Sequence, residues 1–485
     1  MSNLLCVVKC WLLAFCLCAA TTRLLSQTTE ESIDLVEFFA GLKERVAGVE
    51  ISYAISQEDP KTIELQLGQH ISENATVAIP PDVWDKLQTL PNLRDISFGL
   101  NKGQLIRLAE ELQKFPSFKK ITIDGDADDK DLAWLAAHPD LESLVLLNND
   151  IQGHGFAKLS RFEKLNYLAL TGNPLTVEGM RAVVETCPNL ETLALGRSTL
   201  TPEHLGTIAK LSKLKFLELF SETMTLNHWE QLATASSLQE LHLRSCALND
   251  QTIRGIELLT NLRKLNLKDN NLGNESLTYI AKLKKLNYVM LPGLPDNLNI
   301  TQKLEFGLKR GKDNRYQYNI INDVGLRALA DLPELSHLDI SGNPLTGAGF
   351  DNWKSSNTLR HLSLARTQLT DTHAQNLKQF ANLEILDVEQ TKLTITGYRK
   401  FLPLPNLSYL NLSSTKLTDD IFGLLEQIPE LKHLYLQNTD VSMAATRKFR
   451  EASQIPSTIY TWGKEERRYE DKQKRELLKK FDKSK

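Results

Sequence analysis

Two clusters of side chains have the types and spacing that chemistry uses. Asp124, Asp126, Asp128, Asp129 and Asp131 form an acidic run whose alternate spacing suits a calcium loop of oxygen ligands. The sixth place of such a loop needs Gly and holds Asp129; the twelfth needs Glu and holds Leu135. A solvated turn is the stronger reading, with a weak calcium site at Asp124, Asp126 and Asp128 as the alternative. His337 and His361 lie near Asp339 and Ser363. Paired imidazoles suit a metal or a pH sensor, but a metal needs three or four ligands in fixed geometry. A hydrolytic role would need a strained nucleophile turn, and GxSxG, HExxH and GxGxxG are all missing. Gly307 to Lys312 imitates a phosphate loop, yet it is one residue short and Asp313 replaces the Ser or Thr. Of six cysteines, Cys6, Cys10, Cys16 and Cys18 precede the body, and Cys187 and Cys246 read as buried apolar residues rather than a bridge. The expectation is a non-enzymatic chain with no cofactor and no resident metal.

The elements that would carry these residues recur. The pattern L-x-x-L-x-L-x-x-N/T-x-L appears at Leu165-Leu168-Leu170-Asn173-Leu175, Leu262-Leu265-Leu267-Asn270-Leu272 and Leu335-Leu338-Ile340-Asn343-Leu345. Starting each unit at its first apolar residue gives 93, 118, 141, 165, 190, 214, 238, 262, 286, 335, 359, 383, 407 and 431. Most steps are 24 residues, and the step from 286 to 335 is 49, which reads as one degraded repeat starting at Gly311. Ahead of it, Leu294 replaces the ninth-position Asn of the unit that starts at 286, and Ile321 and Gly325-Leu326 keep the second half of the degraded one. Period-two leucines at positions four and six make a short strand with one buried face. The Asn or Thr at position nine hydrogen-bonds a backbone that turning would leave unsatisfied. Thr201-Pro202 is a helix cap followed by proline, and Thr176, Thr346, Thr370, Thr394 and Thr418 hold the same place. One unit cannot cover its own apolar face, so units must stack.

This pattern resembles the leucine-rich repeat family, in its helix-bearing form, over residues 93–462. The resemblance implies an α/β solenoid, a horseshoe of about fifteen repeats with parallel strands on the concave face and helices on the convex face. Such a protein is expected to act as a protein–protein interaction scaffold. Residues 21–92 read as a linker and N-terminal cap, with strands at 48–53 and 62–67 around the turn Gln57-Glu58-Asp59-Pro60. Residues 292–334 hold the degraded unit, whose stretch 292–320 helps bind a partner, acts as a hinge, or has simply drifted.

Composition sets the outer bounds. Apolar residues make up 41% and charged residues 24%, so a large core is available and wholesale disorder is excluded. A net charge of -3 argues against a nucleic-acid binder. Lys9, the apolar run 11–20 and the small residues Cys18-Ala19-Ala20 have the order of a secretory signal over residues 1–20. The mature chain is then secreted, periplasmic or at the cell surface without a membrane span; an uncleaved N-terminal anchor is the alternative. Residues 463–485 carry ten basic and six acidic side chains and read as a solvated helical tail.

With leucines at positions four and six turned inward, positions three and five face out. From the ninth unit onward these hold Tyr288, Met290, Arg315, His337, Asp339, His361, Asp387, Tyr409, His433 and Tyr435. Aromatic residues and Met with few lysines are the composition of a contact surface. Phe216 and Phe220, with Glu218, Glu240, His242 and Arg244, form a second mixed patch. We expect a monomer that binds a protein partner through the first set. The competing reading is an intracellular adaptor such as a ubiquitin-ligase substrate receptor.

Overall fold

The computed structural model describes residues 50–55, 63–68, 81–88, 93–100, 104–115, 118–125, 127–293, 318–351, 353, 357–452 and 458–460. The signal segment 1–20, Asp126, the stretch 294–317 with Arg315, and the tail 463–485 lie outside these residues. The chain divides into two compact units, residues 1–222 with 231–237, and residues 223–230 with 238–485.

The first unit begins with an antiparallel pair, β1 (Glu50–Ile55) and β2 (Ile63–Gly68). These are the two alternating segments read from the sequence. A parallel ladder then runs from β2 through β3 (Leu93–Leu100), β4 (Lys120–Gly125), β5 (Ser143–Leu147), β6 (Tyr167–Ala169) and β7 (Thr192–Gly196) to β8 (Phe216–Phe220). Leucines at positions four and six, such as Leu144, Leu146, Leu168 and Leu170, are fully buried. Between strands the chain forms short helices, α-helical at Val177–Thr186 and Pro202–Ile208 and 3-10 at Asp129–Ala137 and His154–Lys158. A 3-10 turn rises further per residue, so a unit of fixed length can cross the core with fewer residues.

The second unit continues the same rule. Its parallel ladder is β9 (Glu240–Arg244), β10 (Lys264–Asn266), β11 (Tyr288–Met290), β12 (His337–Asp339), β13 (His361–Ser363), β14 (Ile385–Asp387), β15 (Tyr409–Asn411), β16 (His433–Tyr435) and β17 (Thr458–Tyr460).

One expectation is corrected here. β11 pairs directly with β12, Tyr288 beside His337 and Met290 beside Asp339. With β11 and β12 paired directly, the 49-residue step adds no strand to the ladder between them, as a degraded repeat would. Asn319 takes the ninth position of the unit that starts at Leu286: its amide donates to the Leu267 and Pro292 carbonyls at 3.0 and 3.2 Å and accepts from Leu272 N at 3.2 Å. Ile321 then fills the eleventh position with no exposure. Residues 294–318 are therefore an insertion inside one repeat, between its eighth and ninth positions.

Two ladders of polar side chains tie successive units together. The ninth-position asparagines bridge neighbours. Asn270 accepts from Cys246 N and Leu248 N and donates to the carbonyls of Leu243, Leu267 and Lys268, all within 3.2 Å. In the later units Thr367, Thr391, Thr415 and Thr439 replace Asn, each donating to the carbonyl three residues back. The second ladder is aspartate. Asp129, Asp250, Asp323, Asp371 and Asp419 each accept the backbone N–H of the residue 23 positions on, at 2.6–3.0 Å. Asp129 and Asp323 also hold the amides of Gly153 and Gly155, and of Gly347 and Gly349. These orphan amides at each helix start have no partner within their own unit.

The expected threonine caps are partly right. Thr176 and Thr394 accept from Gly179 N and Thr396 N, and Thr201 precedes Pro202. Thr370 is not a cap, because it sits in a strand bridge to Lys392 and the 3-10 helix after it starts at Ala374. Thr346 instead donates its hydroxyl to Asp323 at 2.8 Å. Glycine in the second half of a unit marks close approach. A Cβ at Gly179 would overlap the Gln152 carbonyl of the preceding unit.

Candidate functional site

Parallel pairing without register shift aligns equal positions of successive repeats. In the second unit, position three forms one row across six strands: Tyr288, His337, His361, Ile385, Tyr409 and His433. Position five forms a parallel row: Met290, Asp339, Ser363, Asp387, Asn411 and Tyr435. The residue between them on each strand is buried, Leu338 and Leu386 for example. The two rows therefore lie on the uncovered face. Arg315, expected in the second row, is outside the described residues, and the direct pairing of Met290 with Asp339 leaves no place for it between them.

Rings group at both ends of the first row. Tyr288 lies 5.5 Å from His337, and His337 lies 3.9 Å from His361. Tyr409 lies 6.3 Å from His433 and 5.0 Å from Tyr435. Partial burial, and for His337 also the neighbouring His361, lower both imidazoles, against the pull of Glu384. Burial also raises the Tyr288 phenol and pushes Tyr409 up to about 12, with Tyr435 and Asp387 adding to the latter. The Ser336 hydroxyl donates to the Asn287 carbonyl at 3.0 Å and lies 2.8 Å from His337 Nδ1.

Position five is also structural, which sequence reasoning missed. Asp339, Asp387 and Asn411 each accept, through Oδ1, the N–H two residues on, at 3.0–3.1 Å. This short turn ends the strand and fixes the direction of each side chain. Asp387 is half-buried beside Glu389 and Asp339. Burial raises its carboxyl to about 6; Glu389 and Asp339 add to the rise, while the Glu389 amide and Arg366 oppose it.

The remaining expected residues lie elsewhere. Phe216 and Phe220 are half-buried on β8 of the first unit, where Arg197 sits 5.2 Å over the Phe220 ring. Asp128 caps the helix that starts at Asp129, and Asp124 accepts from Asn148 Nδ2 at 2.8 Å. Among the described residues no group of three or more His, Cys, Asp or Glu is placed to hold a metal ion. Asp339 neighbours Ser363 in register, with His361 on the same strand, but no hydrogen bond joins them among the described residues. Cys187 and Cys246 are both buried, and neither is in a disulfide among the described residues.

Family comparison agrees with this ladder. A family model described as leucine rich repeat matches residues 357–417, and a second so described matches residues 259–281. The chain carries leucine-rich repeats. No curated protein matches it. Similar solved structures include a Listeria monocytogenes internalin, at 15% identity over 83% of this chain and 86% of that one, with a TM-score of 0.41. A leucine-rich repeat protein of Leptospira interrogans is 18% identical over 79% of this chain and 92% of its own, with a TM-score of 0.42. The repeat ectodomain of an Arabidopsis thaliana receptor kinase, solved in complex with CASPARIAN STRIP INTEGRITY FACTOR 2, is 17% identical over 79% and 46%, with a TM-score of 0.41.

Proposed function

We propose that this leucine-rich repeat protein is a non-enzymatic scaffold that binds a protein partner across the uncovered face of β11–β16. The observation that carries the reading is the pair of rows. Six adjacent strands present tyrosine, histidine and methionine side chains with oriented carboxylates. Clustered aromatic anchors with polar neighbours are how protein interfaces concentrate their binding energy. Fold alone would not assign this, because function sits in the face and not in the solenoid. A row across six strands spans on the order of 25 Å, which suits a protein segment better than a small ligand. We propose further that the chain is exported as a monomer, on the signal-like order of residues 1–20. Among the described residues no helix is long and apolar enough to cross a membrane.

Affinity capture from the native source with the wild-type full chain, and with Tyr409→Ala/Tyr435→Ala, tests the binding reading. The expected outcome is a protein retained by the wild type and depleted at least tenfold with the variant. Equal recovery on both would refute it. N-terminal sequencing of the exported fraction tests the export reading: a start near residue 21 supports it, and an intact N-terminus in the cytoplasm favours the adaptor alternative.

A further inference from the structure

The uncovered face changes its charge along the second unit. At positions three, five and seven, β9 and β10 carry Arg244, Lys264 and Lys268. Their acids are matched within the chain: Lys264 pairs with Glu240 at 3.1 Å and Arg244 with Asp269 at 2.8 Å. From β11 to β16 the same positions hold no lysine or arginine, and hold Asp339, Asp387 and Glu389. Neither Asp339 nor Asp387 has an ion-pair partner among the described residues. Each uses Oδ1 to close its own turn, which leaves Oδ2 available. The row beside them is aromatic and imidazole. Rings favour cations over their faces, and carboxylates favour them at their edges.

Resting on the partner-binding reading above, we propose that β11–β16 take an extended segment of a partner protein carrying two Lys or Arg side chains, set against Asp339 and Asp387, with the intervening chain over the Tyr and His row. Asp339 and Asp387 lie two strands apart, about 10 Å at the usual strand spacing. A segment in the extended polyproline II form rises about 3.1 Å per residue with three residues per turn, so it covers that distance in about three residues and brings the side chain back to the same face. The cations should therefore recur at a three-residue spacing. Arg366 pulls the Asp387 carboxyl down, but burial outweighs it. The acids of this face are the ones the chain leaves to be neutralised from outside.

The test immobilises the full chain and selects random linear peptides displayed on phage. Selected peptides are synthesised and measured by fluorescence anisotropy against wild type, Asp339→Asn/Asp387→Asn, and Tyr409→Ala/Tyr435→Ala. The proposal expects peptides with Lys or Arg three residues apart. Their affinity should fall about tenfold for each carboxylate removed, and fall again with salt. Peptides that depend on the tyrosines but not on the aspartates would overturn the cationic assignment and leave the face as an interface. Peptides indifferent to both pairs would overturn the face reading as well. A wild-type chain that selects nothing but elutes as a dimer, dissolved by the aspartate pair, would give the face to a second copy and overturn the proposal.

Discussion

Asp387→Asn should stabilise the fold at neutral pH, and only there. The native carboxyl has its proton affinity raised from 3.8 to about 6, first by burial and then by Glu389 and Asp339. The folded chain therefore holds this proton to a higher pH than the unfolded chain does. The group's contribution to stability is fully present below about pH 4 and is lost as pH rises through 6. Two pH units correspond to about 3 kcal/mol, and partial solvent access reduces this to on the order of 2 kcal/mol. Asparagine keeps the Oδ1 acceptor for Glu389 N, a 3.0 Å bond, so the turn survives the change. Urea unfolding at pH 8 and pH 4.5, with the slope held common, measures the effect as a shift in midpoint. The account expects a higher midpoint for the variant at pH 8 and a much smaller difference at pH 4.5. A gain that is equal at both pH values, or a loss at pH 8, would refute the reasoning. A charge kept at a cost in stability on an exposed strand face is what a binding site, rather than a structural turn, would retain.

Four further outcomes follow from the same geometry. Asn270→Ala should cost about 3 kcal/mol and Thr391→Ala about 1 kcal/mol in urea unfolding, because the first abandons several buried bonds and the second one; equal costs would contradict the ladder account. Deleting residues 294–318, which joins Gly293 to Asn319 and restores a 24-residue unit, should leave circular dichroism and the unfolding midpoint near wild type, whereas loss of folding would return a structural strand to that stretch. His138 is fully buried, and burial lowers its imidazole to about 4 against the pull of the Leu112 carbonyl; stability should fall by about 3 kcal/mol as pH drops from 6.5 to 4, since only the unfolded chain takes the proton there, and His138→Gln should remove most of that slope. Asp323→Ala, which strips the acceptor from the amides of Thr346, Gly347 and Gly349, should raise amide exchange at those residues selectively.

The strand ladder was legible in the sequence because burial on one face of a strand forces period-two leucines, and stacking forces equal spacing. The same logic places His337 beside His361 and Asp339 beside Ser363, as the strand register has them. It failed at residues 286–335 for a physical reason. An insertion of nearly one repeat length keeps every later unit in phase, so spacing cannot tell it from an extra repeat. The missing signal was local: Asn319, Ile321 and Gly325-Leu326 complete the unit begun at Leu286, and residues 311–316 lack the paired leucines a buried strand requires. The aspartate ladder was also overlooked. Its carboxylates look like ordinary helix-start acids, and their targets lie 23 residues away, where no local rule points. Position five was read only as exposed surface, although Asp339, Asp387 and Asn411 also close the strand-end turns.

Site-specific photo-crosslinking tests the central claim most directly. A benzophenone amino acid placed at Tyr435 reports on the uncovered face, and one at Glu426 reports on the exposed helical side. Irradiated in the native source, the account predicts a covalent protein adduct from the Tyr435 position and none from Glu426. Adducts from Glu426 alone would contradict the claim that this leucine-rich repeat protein meets its partner across β11–β16.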